Sequence, residues 1–450
     1  MPFPTENRAV SGASVVTPET FRLADTTLAV VGLGYVGLPL AILAATRGAH
    51  VTGFDINARR VADINDARVD FIEQPERDAL TRAVNLYATN SARDLDAARV
   101  YVVCVPTPVS HMNLPDLRPL EEACATVAPH LKPGGLVVIE STVNPGACED
   151  VVLPILESGS RLKGEGDFYL AHCPERINPG DKQWTVRTIP RVIGGLGPKS
   201  LAKAVQFYQG LVDAPILSMP SLKEAEAVKM VENAFRDINI AFVNELAMSF
   251  DKAKIDLVSV LRGASTKPFG FMPHFPGCGV GGHCIPVDPY YLIRYGEKNG
   301  FVHHFLMTAR RINNRMPLYT IGQLSRALRK KRKQLSRSKV ALLGLAYKRD
   351  ISDTRESPAL HIRDALEKRG VDVRTYDPHV LDDSNTTSIE DALDGADASV
   401  IATDHTEFKN LSPFHFMRAG VGVVVDGRNC LRKEDFVKSG VLYVGIGRAS

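Results

Sequence analysis

The chain has 450 residues, 44% of them apolar and 23% charged, which suffices for about two to four domains with buried cores. Its 54 lysine and arginine residues nearly balance 51 aspartate and glutamate residues, and the net charge of +3 argues against a general nucleic-acid binder. The seven cysteines are odd in number and form no C-x-x-C pair, which argues against a disulfide framework and a zinc ribbon. We therefore expect a cytoplasmic protein with no metal site and no nucleic-acid partner.

The first 24 residues are polar and lack periodicity, which predicts a flexible N-terminal arm. Short apolar runs then alternate with amphipathic helical stretches across residues 25–218. The predicted strands are residues 28–31, 51–54, 100–105, 136–139, 168–171 and 192–193. This alternation is typical of a parallel, doubly wound sheet, so residues 25–218 are predicted to form a Rossmann-like domain.

One uncharged run, residues 28–45, is about as long as the shortest membrane-spanning helix. Glycines and Pro39 interrupt it, and charged residues precede it, whereas a signal peptide is basic and then apolar from its start. A strand, a turn and a helix explain the run better. We therefore predict no membrane segment.

A long helix is predicted to begin at Ser221, where Ser221 and Glu224 form a capping-box pattern after a proline. Apolar residues then recur at three- and four-residue steps: Val228, Val231, Phe235, Ile238, Phe242 and Leu246. A helix of this length usually packs against more than one neighbour. Residues 219–328 are therefore predicted to be a central helical region that carries a dimer seam.

Residues 329–339 are densely basic, but the run has no interleaved aromatic residues, which favours a solvated linker over a nucleic-acid patch. A second α/β pattern extends over residues 329–450, where Ser357-Pro358 marks the start of a helix. Its predicted strands are residues 340–343, 371–376, 399–402 and 421–425. We therefore expect an α/β chain of two Rossmann-like, doubly wound domains joined by the central helical region.

The segment 30–37 contains the pattern G-x-G-x-x-G between an apolar strand and an apolar helix. Gly32 permits a tight turn, Gly34 lets a pyrophosphate approach the backbone, and Gly37 permits close packing of helix on sheet. Asp55 ends the second strand, where a carboxylate accepts hydrogen bonds from the adenosine ribose and disfavours a 2′-phosphate, although the arginines at 59 and 60 leave NADP open. The predicted cofactor is NAD, and its predicted contacts here are Gly32, Gly34, Tyr35, Val36, Gly37 and Asp55.

The densest chemistry lies in the glycine-rich run 276–289, PGCGVGGHCIPVDP. Cys284 is a candidate nucleophile, because a thiolate adds to an aldehyde and the resulting hemithioacetal can release a hydride. Asp288, four residues later, is a candidate base or water-positioning group. The alternative for Cys284 is an inert, buried cysteine. His283 is interpreted as structural, and Cys278 lacks the further ligands that a metal site with Cys284 would need.

Three polar residues share one face of the predicted long helix: Lys229, Asn233 and Arg236. A solvated face is one interpretation, and an ammonium and an amide directed at a developing oxyanion are the other. The segments 141–142 and 174–176 each follow a predicted strand, and doubly wound sheets collect their active-site loops at strand ends.

Together these segments resemble the UDP-glucose/GDP-mannose dehydrogenase family over nearly all of residues 27–445. The resemblance is carried by GLGYVGLPLA (32–41), CVPTPV (104–109), STVNPG (141–146), CPERINPG (173–180), KMVENAFR (229–236), GVGGHCIPVDP (279–289) and LAYKRDISDTRESP (345–358). Within the family, PERINPG, ENAFRDINIAFVNELA and TKPFGFMPHFPG are most similar to the UDP-N-acetylglucosamine 6-dehydrogenases. Cys278 departs from the pattern, since close relatives carry proline there.

The resemblance implies two successive NAD-dependent oxidations at C6 of a nucleotide sugar, from alcohol to carboxylate, for surface polysaccharide synthesis. It assigns the covalent thiohemiacetal and thioester to Cys284, and the oxyanion contacts to Lys229 and Asn233. Asp288 with Thr142 would handle the water, and Glu175 would carry acid/base work and thioester hydrolysis. Further implied contacts are Thr107 and Thr142 for the cofactor, and Glu175, Arg176, Lys229, Asn233, Gly281, Lys348, Arg355 and Arg428 for the substrate.

The C-terminal domain resembles the family's UDP-binding domain and the middle helices resemble its dimer core, which implies a homodimer or a higher homo-oligomer. UDP-N-acetyl-D-glucosamine is the expected substrate. UDP-glucose, UDP-N-acetylgalactosamine and UDP-N-acetylmannosamine are alternatives, because a sequence contains no pocket dimensions. A two-electron hydroxyacid dehydrogenase would share the Rossmann turn without needing Cys284, and a sensor that binds without turnover would not need a nucleophile either.

Overall fold

The computed structural model describes residues 22–110, 114–177 and 183–448. The predicted N-terminal arm, residues 1–24, lies outside the described residues except for its last three. Of these, Leu23 is buried and begins a short 3₁₀ helix, Leu23–Asp25. Regular structure therefore starts just before the predicted boundary.

The first sheet of the described chain has eight strands. They are β1 (Thr27–Val31), β2 (His50–Phe54), β3 (Leu86–Thr89), β4 (Val100–Val103), β5 (Leu136–Ile139), β6 (Tyr169–His172), β7 (Arg191–Gly195) and β8 (Ile216–Ser218). Their order is β3-β2-β1-β4-β5-β6-β7-β8, so the chain changes direction across the sheet between β1 and β4, where doubly wound folds bind ligands. This confirms the predicted Rossmann-like domain.

One strand pair departs from the predicted parallel sheet. β7 runs antiparallel to β6, with Ala171 opposite Gly195 and His172 opposite Gly194, whereas the other paired strands are parallel. The prediction of a wholly parallel sheet is therefore wrong at β7. A short apolar run predicts that a strand exists but contains no information about its direction.

Helices lie between the strands of this sheet in the sequence. They are α1 (Gly37–Thr46), α2 (Ala58–Asn65), α3 (Gln74–Leu80), α4 (Arg118–Val127), α5 (Leu153–Ser160) and α6 (Pro198–Leu211). The strands are rich in Val, Ile and Leu, and their side chains are buried in two apolar clusters. The uncharged run 28–45 becomes β1, a glycine turn and α1, and most of its side chains are buried. No helix in the described ranges is long and apolar enough to cross a membrane.

Four helices follow: α7 (Leu222–Ala253), α8 (Leu257–Ala264), α9 (Asp288–Lys298) and α10 (His304–Lys330). α7 begins where the capping pattern predicted. The Ser221 hydroxyl accepts a hydrogen bond from the Glu224 backbone N–H (3.3 Å) and donates to the Glu224 carboxylate (3.0 Å). These bonds satisfy one of the free N–H groups at the start of a helix of 32 residues.

The apolar stripe of α7 is not buried within the chain. Val231, Phe235 and Phe242 of the predicted apolar stripe are 59%, 46% and 53% exposed, whereas Lys229 and Asn233 are buried. The apolar residues that α7 does bury are mostly small: Leu222, Ala225, Met230, Ala234, Ala241, Val243 and Ala247. Periodicity predicts a helix correctly, but close packing with neighbouring elements selects the buried face, and small side chains permit the closest packing.

The second sheet consists of β9 (Lys339–Leu343), β10 (Asp372–Tyr376), β11 (Ala398–Ile401), β12 (Val423–Asp426) and β13 (Leu442–Gly445). Its helices are α11 (Pro358–Glu367), α12 (Ile389–Leu393), α13 (Pro413–Arg418) and α14 (Lys433–Phe436). The paired strands are parallel, in the order β10-β9-β11-β12-β13, which confirms the second Rossmann-like domain.

The described chain divides into two compact units. One runs through Glu232 and includes Tyr290–Tyr295, and the other comprises Asn233–Pro289 and the chain from Gly296 onward. The divisions fall inside α7 and α9 rather than at the predicted boundaries 218/219 and 328/329. α10 belongs with the second sheet, because its apolar side chains share one buried cluster with the strand residues of that sheet. The central helices are therefore not a separate compact unit.

Candidate active site

The glycines at 32–37 form the turn between β1 and α1. Gly32 has a φ of +92°, and a Cβ there would lie 2.8 Å from the carbonyl oxygen of Cys104. A Cβ at Gly37 would lie 1.9 Å from the carbonyl oxygen of Gly32, so the helix start is pressed against the turn. A Cβ at Gly34 would meet no atom within 4 Å. Space is therefore available beside Gly34, where the backbone approach of a pyrophosphate was predicted.

Asp55 follows β2 and is buried. Its carboxylate accepts hydrogen bonds from the backbone N–H groups of Leu33 and Asn57, each at 2.9 Å, and from Nη1 of Arg60 at 3.1 Å. A carboxylate offers about four acceptor positions, so these three bonds leave capacity for a ribose hydroxyl. The turn and this carboxylate together fit the adenosine half of a dinucleotide.

Tyr35 and Val36 occupy the same turn. Tyr35 is exposed and its ring lies edge-on to Phe71, with the ring centroids 5.3 Å apart. The Arg60 guanidinium lies over the Phe71 ring, 5.7 Å from its centroid. Arg60 and Phe71 therefore connect two predicted cofactor contacts, because Phe71 packs against Tyr35 and Arg60 pairs with Asp55.

Thr107 and Thr142 lie in the loops after β4 and β5. The Thr107 hydroxyl donates to the Thr142 carbonyl oxygen at 2.6 Å, and the hydroxyl of Ser141 donates to the carbonyl oxygen of Val105 at 2.7 Å. Both bonds join neighbouring strand ends at the carboxyl edge of the first sheet. Sequence reasoning missed one partner of this edge: the Tyr291 hydroxyl donates to the Thr107 carbonyl oxygen at 2.8 Å. Nothing in the sequence around Tyr291 indicates that contact.

Glu175 and Arg176 follow β6, and both contact α7. Nζ of Lys229 lies 3.6 Å from Oε2 of Glu175, and the Arg176 guanidinium pairs with the carboxylate of Glu232. Arg176 also donates to the carbonyl oxygen of Pro190 at 3.0 Å, so its guanidinium holds the loop in place. The two ion pairs fasten the segment to one face of the helix.

Burial raises the pKa of the Glu175 carboxyl above its usual range, and the positive charges of Lys229 and Arg191 only partly offset this effect. Oε1 of Glu175 is buried and has no hydrogen-bond partner among the described residues. A carboxyl group with a raised pKa and one uncommitted oxygen is suited to act as a general acid or base.

Cys284 and Asp288 lie in the second compact unit, where α9 begins. The Cys284 carbonyl oxygen accepts hydrogen bonds from the backbone N–H groups of Val287 (3.0 Å) and Asp288 (2.8 Å), so the cysteine lies in the turn that enters the helix. Asp288 is buried, and its carboxylate accepts a hydrogen bond of 2.5 Å from Nδ2 of Asn233. The structure thus joins two predicted site residues, Asn233 and Asp288, one helical turn from Cys284.

The glycines before Cys284 are required by packing against the C-terminal domain. A Cβ at Gly281 would lie 2.6 Å from Cβ of Tyr347 and 2.8 Å from the carbonyl oxygen of Glu356. Gly282 has a φ of +89° and donates its N–H to the carbonyl oxygen of Arg355 at 2.9 Å. The loop that carries Cys284 is therefore held by the segment that follows β9.

Lys348 and Arg428 follow β9 and β12, whose carboxyl ends lie at one edge of the second sheet. Nη2 of Arg428 donates to the carbonyl oxygen of Tyr347 at 2.9 Å, which brings the two loops together. Both cations thus lie where a doubly wound sheet binds its ligand. Arg355, the third predicted cation, pairs with Asp353 at 2.6 Å.

Cys278 is buried at the same edge. Its N–H donates to the carbonyl oxygen of Gly427 at 3.1 Å, and its Sγ donates to that of Ala402 at 3.3 Å. Burial raises the pKa of its thiol, although the positive charge of Arg428 opposes the shift. Cys278 therefore anchors the start of the glycine-rich run 276–289 to the ends of β11 and β12.

A buried ion pair beside Glu175 was missed by the sequence reasoning. Glu140 directly follows β5 and Arg191 begins β7, and their side chains lie 3.3 Å apart. A charged residue at the border of an apolar strand, as in VVIES and IPRVIGG, is the signal that could have indicated them.

Comparison with known proteins shows the family. Three models of the UDP-glucose/GDP-mannose dehydrogenase family match the chain: the NAD binding domain at residues 26–212, the central domain at 223–315 and the UDP binding domain at 341–433. A UDP-N-acetyl-D-mannosamine dehydrogenase of Pyrococcus horikoshii is 40% identical over 94% of this chain and 99% of that protein. A UDP-N-acetyl-D-glucosamine 6-dehydrogenase of Pseudomonas aeruginosa is 38% identical over 88% of this chain and 94% of its own length.

The fold agrees as well. The structure of the UDP-D-ManNAc dehydrogenase from Pyrococcus horikoshii matches with a TM-score of 0.89, covering 94% of this chain and 99% of that one. With all three family domains present in order and relatives of this similarity over nearly the whole chain, the protein belongs to the UDP-glucose/GDP-mannose dehydrogenase family of NAD-dependent UDP-sugar dehydrogenases.

Proposed function

We propose that the protein oxidises the C6 alcohol of UDP-N-acetyl-D-glucosamine to the carboxylate, with two molecules of NAD and a covalent intermediate on Cys284. The observation that carries the reaction class is the turn that leads into α9. It combines Cys284 with a buried carboxylate, Asp288, that is hydrogen-bonded to the Asn233 amide. A thiol beside the start of a helix is placed where thiolates are stabilised.

NAD, when bound, accepts a hydride in each oxidation. The residues proposed to hold it are the glycine turn 32–37, which offers backbone N–H groups and open space at Gly34, and Asp55, which has acceptor capacity for the ribose. Thr107 and Thr142 would border the nicotinamide half. Their mutual hydrogen bond fixes the loops after β4 and β5 against each other.

In the first oxidation a hydride leaves C6 and the proton of its hydroxyl passes to the Glu175 carboxylate, which leaves an aldehyde. Glu175 releases this proton to solvent before the hydrolysis step. The Cys284 thiolate then adds to the aldehyde carbon, and the new alkoxide is stabilised by the ammonium of Lys229 and the amide of Asn233. Loss of the second hydride converts this adduct into a thioester. Water then attacks the thioester, with Glu175 taking its proton, and the carbon–sulfur bond breaks to release the carboxylate and the thiol.

Substrate recognition is proposed to centre on the second sheet. Lys348 and Arg428 lie at its carboxyl edge, and two phosphates need cationic partners. The guanidinium groups of Arg176 and Arg355 already pair with Glu232 and Asp353, so we assign these arginines to loop positioning rather than to direct charge neutralisation.

A second candidate substrate is UDP-N-acetyl-D-mannosamine. It is favoured by the Pyrococcus horikoshii relative, which has that name and is 40% identical over 94% of this chain. The motifs PERINPG and TKPFGFMPHFPG favour the glucosamine epimer, as does the name of the Pseudomonas aeruginosa relative. The two sugars differ only at C2, so a direct comparison of turnover separates them.

The test is the amount of NADH formed per mole of limiting UDP-sugar, with mass analysis of the sugar product. The proposal predicts two NADH and a carboxylate from UDP-N-acetyl-D-glucosamine. The same result from the mannosamine epimer alone would establish the second candidate. One NADH and an aldehyde would contradict the thioester half of the mechanism, and NAD binding without reduction by any UDP-sugar would favour a sensor.

The covalent step is tested by Cys284→Ser. The proposal predicts a fall in the rate of carboxylate formation on the order of 10³-fold or more, because an activated nucleophile is lost, with NAD affinity unchanged. Cys430→Ser is the matched control, since Cys430 is also a half-buried cysteine outside any disulfide but lies after β12. Near-normal acid formation by Cys284→Ser would contradict the covalent route and favour a simple two-electron dehydrogenase.

A further inference from the structure

The ion pair of Glu140 and Arg191 is almost completely inaccessible to solvent. Arg191 is 0% exposed and Glu140 1% exposed, and the Tyr208 hydroxyl donates to the same Oε1 of Glu140 at 2.6 Å. The Arg191 guanidinium lies 5.6 Å from the centroid of the Tyr208 ring. Removing two charges from water costs several kcal/mol, and apolar replacements are often as stable, so stability alone is a weak reason for such a pair.

The sheet topology places this pair around Glu175. β6, which leads to Glu175, lies between β5 and β7 in the sheet. Because β7 is antiparallel to β6, its first residue lies at the carboxyl edge of β6. The paired residues of β6 and β7 end with His172 opposite Gly194. Glu175 follows His172 by three residues and Arg191 precedes Gly194 by three, so both lie at the same end of this strand pair.

The backbone also links the two acidic residues. The Glu175 N–H points to the carbonyl oxygen of Glu140 at 3.4 Å, and the Cys173 N–H donates to the carbonyl oxygen of Ile139 at 3.0 Å. Glu140 is itself held by a hydrogen bond from its N–H to the carbonyl oxygen of Val103 at 2.9 Å. The turn that carries Glu175 is thus fixed to the end of β5.

We propose that Glu140 and Arg191 are positioning residues for Glu175: their buried ion pair spans the end of β6 and sets the charge that faces the Glu175 carboxylate. This inference rests on the proposed role of Glu175 as the base in thioester hydrolysis. It assigns no contact with substrate or cofactor to either residue of the pair.

The charges that act on Glu175 come from several elements. Lys229 on α7 and Arg191 on β7 favour its ionised form, whereas Glu140 after β5 opposes ionisation. Cys104, after β4, is buried, and its thiol pKa is raised well above the usual range, so it contributes no charge at neutral pH. Glu140 therefore counteracts the effect of Arg191, and the carboxylate of Glu175 remains a stronger base than it would be beside an uncompensated guanidinium.

The test is the pH profile of kcat for the full-length enzyme with NAD and the UDP-sugar that the wild type oxidises. Glu140→Gln keeps the size of the side chain and an oxygen for the Tyr208 hydroxyl, but removes the negative charge. Arg191 then lowers the pKa of Glu175 further, so the acidic limb of the profile is expected to move to lower pH by about one unit. Arg191→Gln removes the cation instead, and the limb is expected to move to higher pH.

Two controls separate the effect of the Glu140 and Arg191 charges from a general disturbance of the fold. Tyr208→Phe removes a hydrogen bond of the network but neither charge, so the limb is expected to stay within about 0.2 units of the wild-type position. Asp237→Asn breaks the buried ion pair of Asp237 with Arg310 in the other compact unit, and it should leave the limb in place. In each folded variant of the pair the KM for NAD is expected to equal that of the wild type.

The inference is overturned if Glu140→Gln or Arg191→Gln folds, as judged by thermal unfolding and NAD binding, and its acidic limb coincides with that of the wild type. Either variant alone is a sufficient test if it folds, because each has its own expected direction: to lower pH for Glu140→Gln and to higher pH for Arg191→Gln. Glu175→Gln separates this result from failure of the proposed function. If that variant retains the acidic limb, Glu175 is not the titrating base, and both the role of Glu175 and the inference fail. If Glu175→Gln loses the acidic limb but Glu140→Gln and Arg191→Gln leave it at the wild-type pH, only the inference fails.

Discussion

At the scale of single residues, two predicted site residues lie on the buried part of α7. Lys229 and Asn233 are buried, as a role in a site requires, and Asn233 contacts the predicted Asp288. The guanidinium of Arg176, which is expected among the substrate ligands, pairs with the carboxylate of Glu232. A motif preserves residue types and spacing, whereas the partner of a long, flexible cation depends on which acidic group the fold brings within reach.

Asp55 provides a prediction at this scale. Asp55→Ala is expected to lower kcat/KM for NAD by roughly ten- to a hundredfold, because a charged hydrogen-bond acceptor for the ribose is lost. Discrimination against NADP should weaken at the same time, since Arg60 loses the carboxylate 3.1 Å from its Nη1 and becomes available to a 2′-phosphate. Steady-state kinetics with both cofactors measure the effect.

The control for that measurement is Asp63→Ala. Asp63 is a half-exposed residue of α2 whose carboxylate lies 3.9 Å from Arg59, so its loss should change neither cofactor constant. An unchanged preference for NAD in Asp55→Ala would show that another residue recognises the ribose.

At the scale of secondary-structure elements, both sheets use the same turn. Gly32 follows β1 with a φ of +92°, and Gly344 follows β9 with a φ of +88°. In each turn the N–H of the next residue donates to an aspartate that directly follows the neighbouring strand. This aspartate is Asp55 in the first sheet and Asp377 in the second. The two turns differ in the side chain that is bonded to that aspartate. Asp377 is hydrogen-bonded to the buried ring of His405 at 2.9 Å, whereas Asp55 pairs with the half-exposed Arg60.

This difference has a functional consequence. Hydrogen bonds from His405 and from backbone N–H groups lower the pKa of Asp377 although burial opposes ionisation, so its carboxylate serves the second fold as an internal anchor. A ribose has no access to an acceptor that is 0% exposed and fully bonded. The second sheet therefore keeps the Rossmann turn without a dinucleotide site, which accords with its match to a UDP binding domain.

The glycine-rich run 276–289 supplies a prediction at the element scale. Gly281→Ala is expected to reduce kcat by about ten- to a hundredfold, because the added methyl group would overlap Tyr347 and the Glu356 carbonyl and displace the loop that carries Cys284. Initial rates of NADH formation, together with NAD affinity, measure this. Gly263→Ala is the control: its Cβ would meet no atom within 4 Å, and alanine favours helix α8. Full activity of Gly281→Ala would show that the loop position is not critical.

At the scale of the whole molecule, the exposed apolar side chains of α7 indicate a surface for self-association. Phe235 and Phe242 border a cavity of about 430 Å³ whose other walls include Phe271 and Met272. Contiguous exposed apolar side chains of this kind are typical of protein interfaces. We propose that this face is the dimer seam that the resemblance implies, with a second copy of the chain as its occupant.

The corresponding prediction concerns molar mass. The wild-type protein is expected to show at least twice the mass of one chain in size-exclusion chromatography with light scattering. Phe242→Glu should shift it toward the monomer, because a charge buried in an apolar interface costs several kcal/mol. Val84→Glu, which alters an exposed valine of the first unit, should leave the mass unchanged. A monomeric wild type would contradict the proposed seam.

By itself, the sequence determined the two Rossmann-like folds, the start of the long helix and the family, because these depend on local periodicity, turn glycines and motifs read along the chain. Only the tertiary structure decided that β7 runs antiparallel, that α7 buries its small and polar face, and that α10 packs with the second sheet. It also decided that Glu140 and Arg191 meet beside Glu175. Each of these results depends on contacts between residues far apart in the chain, and composition and spacing do not encode which surfaces meet.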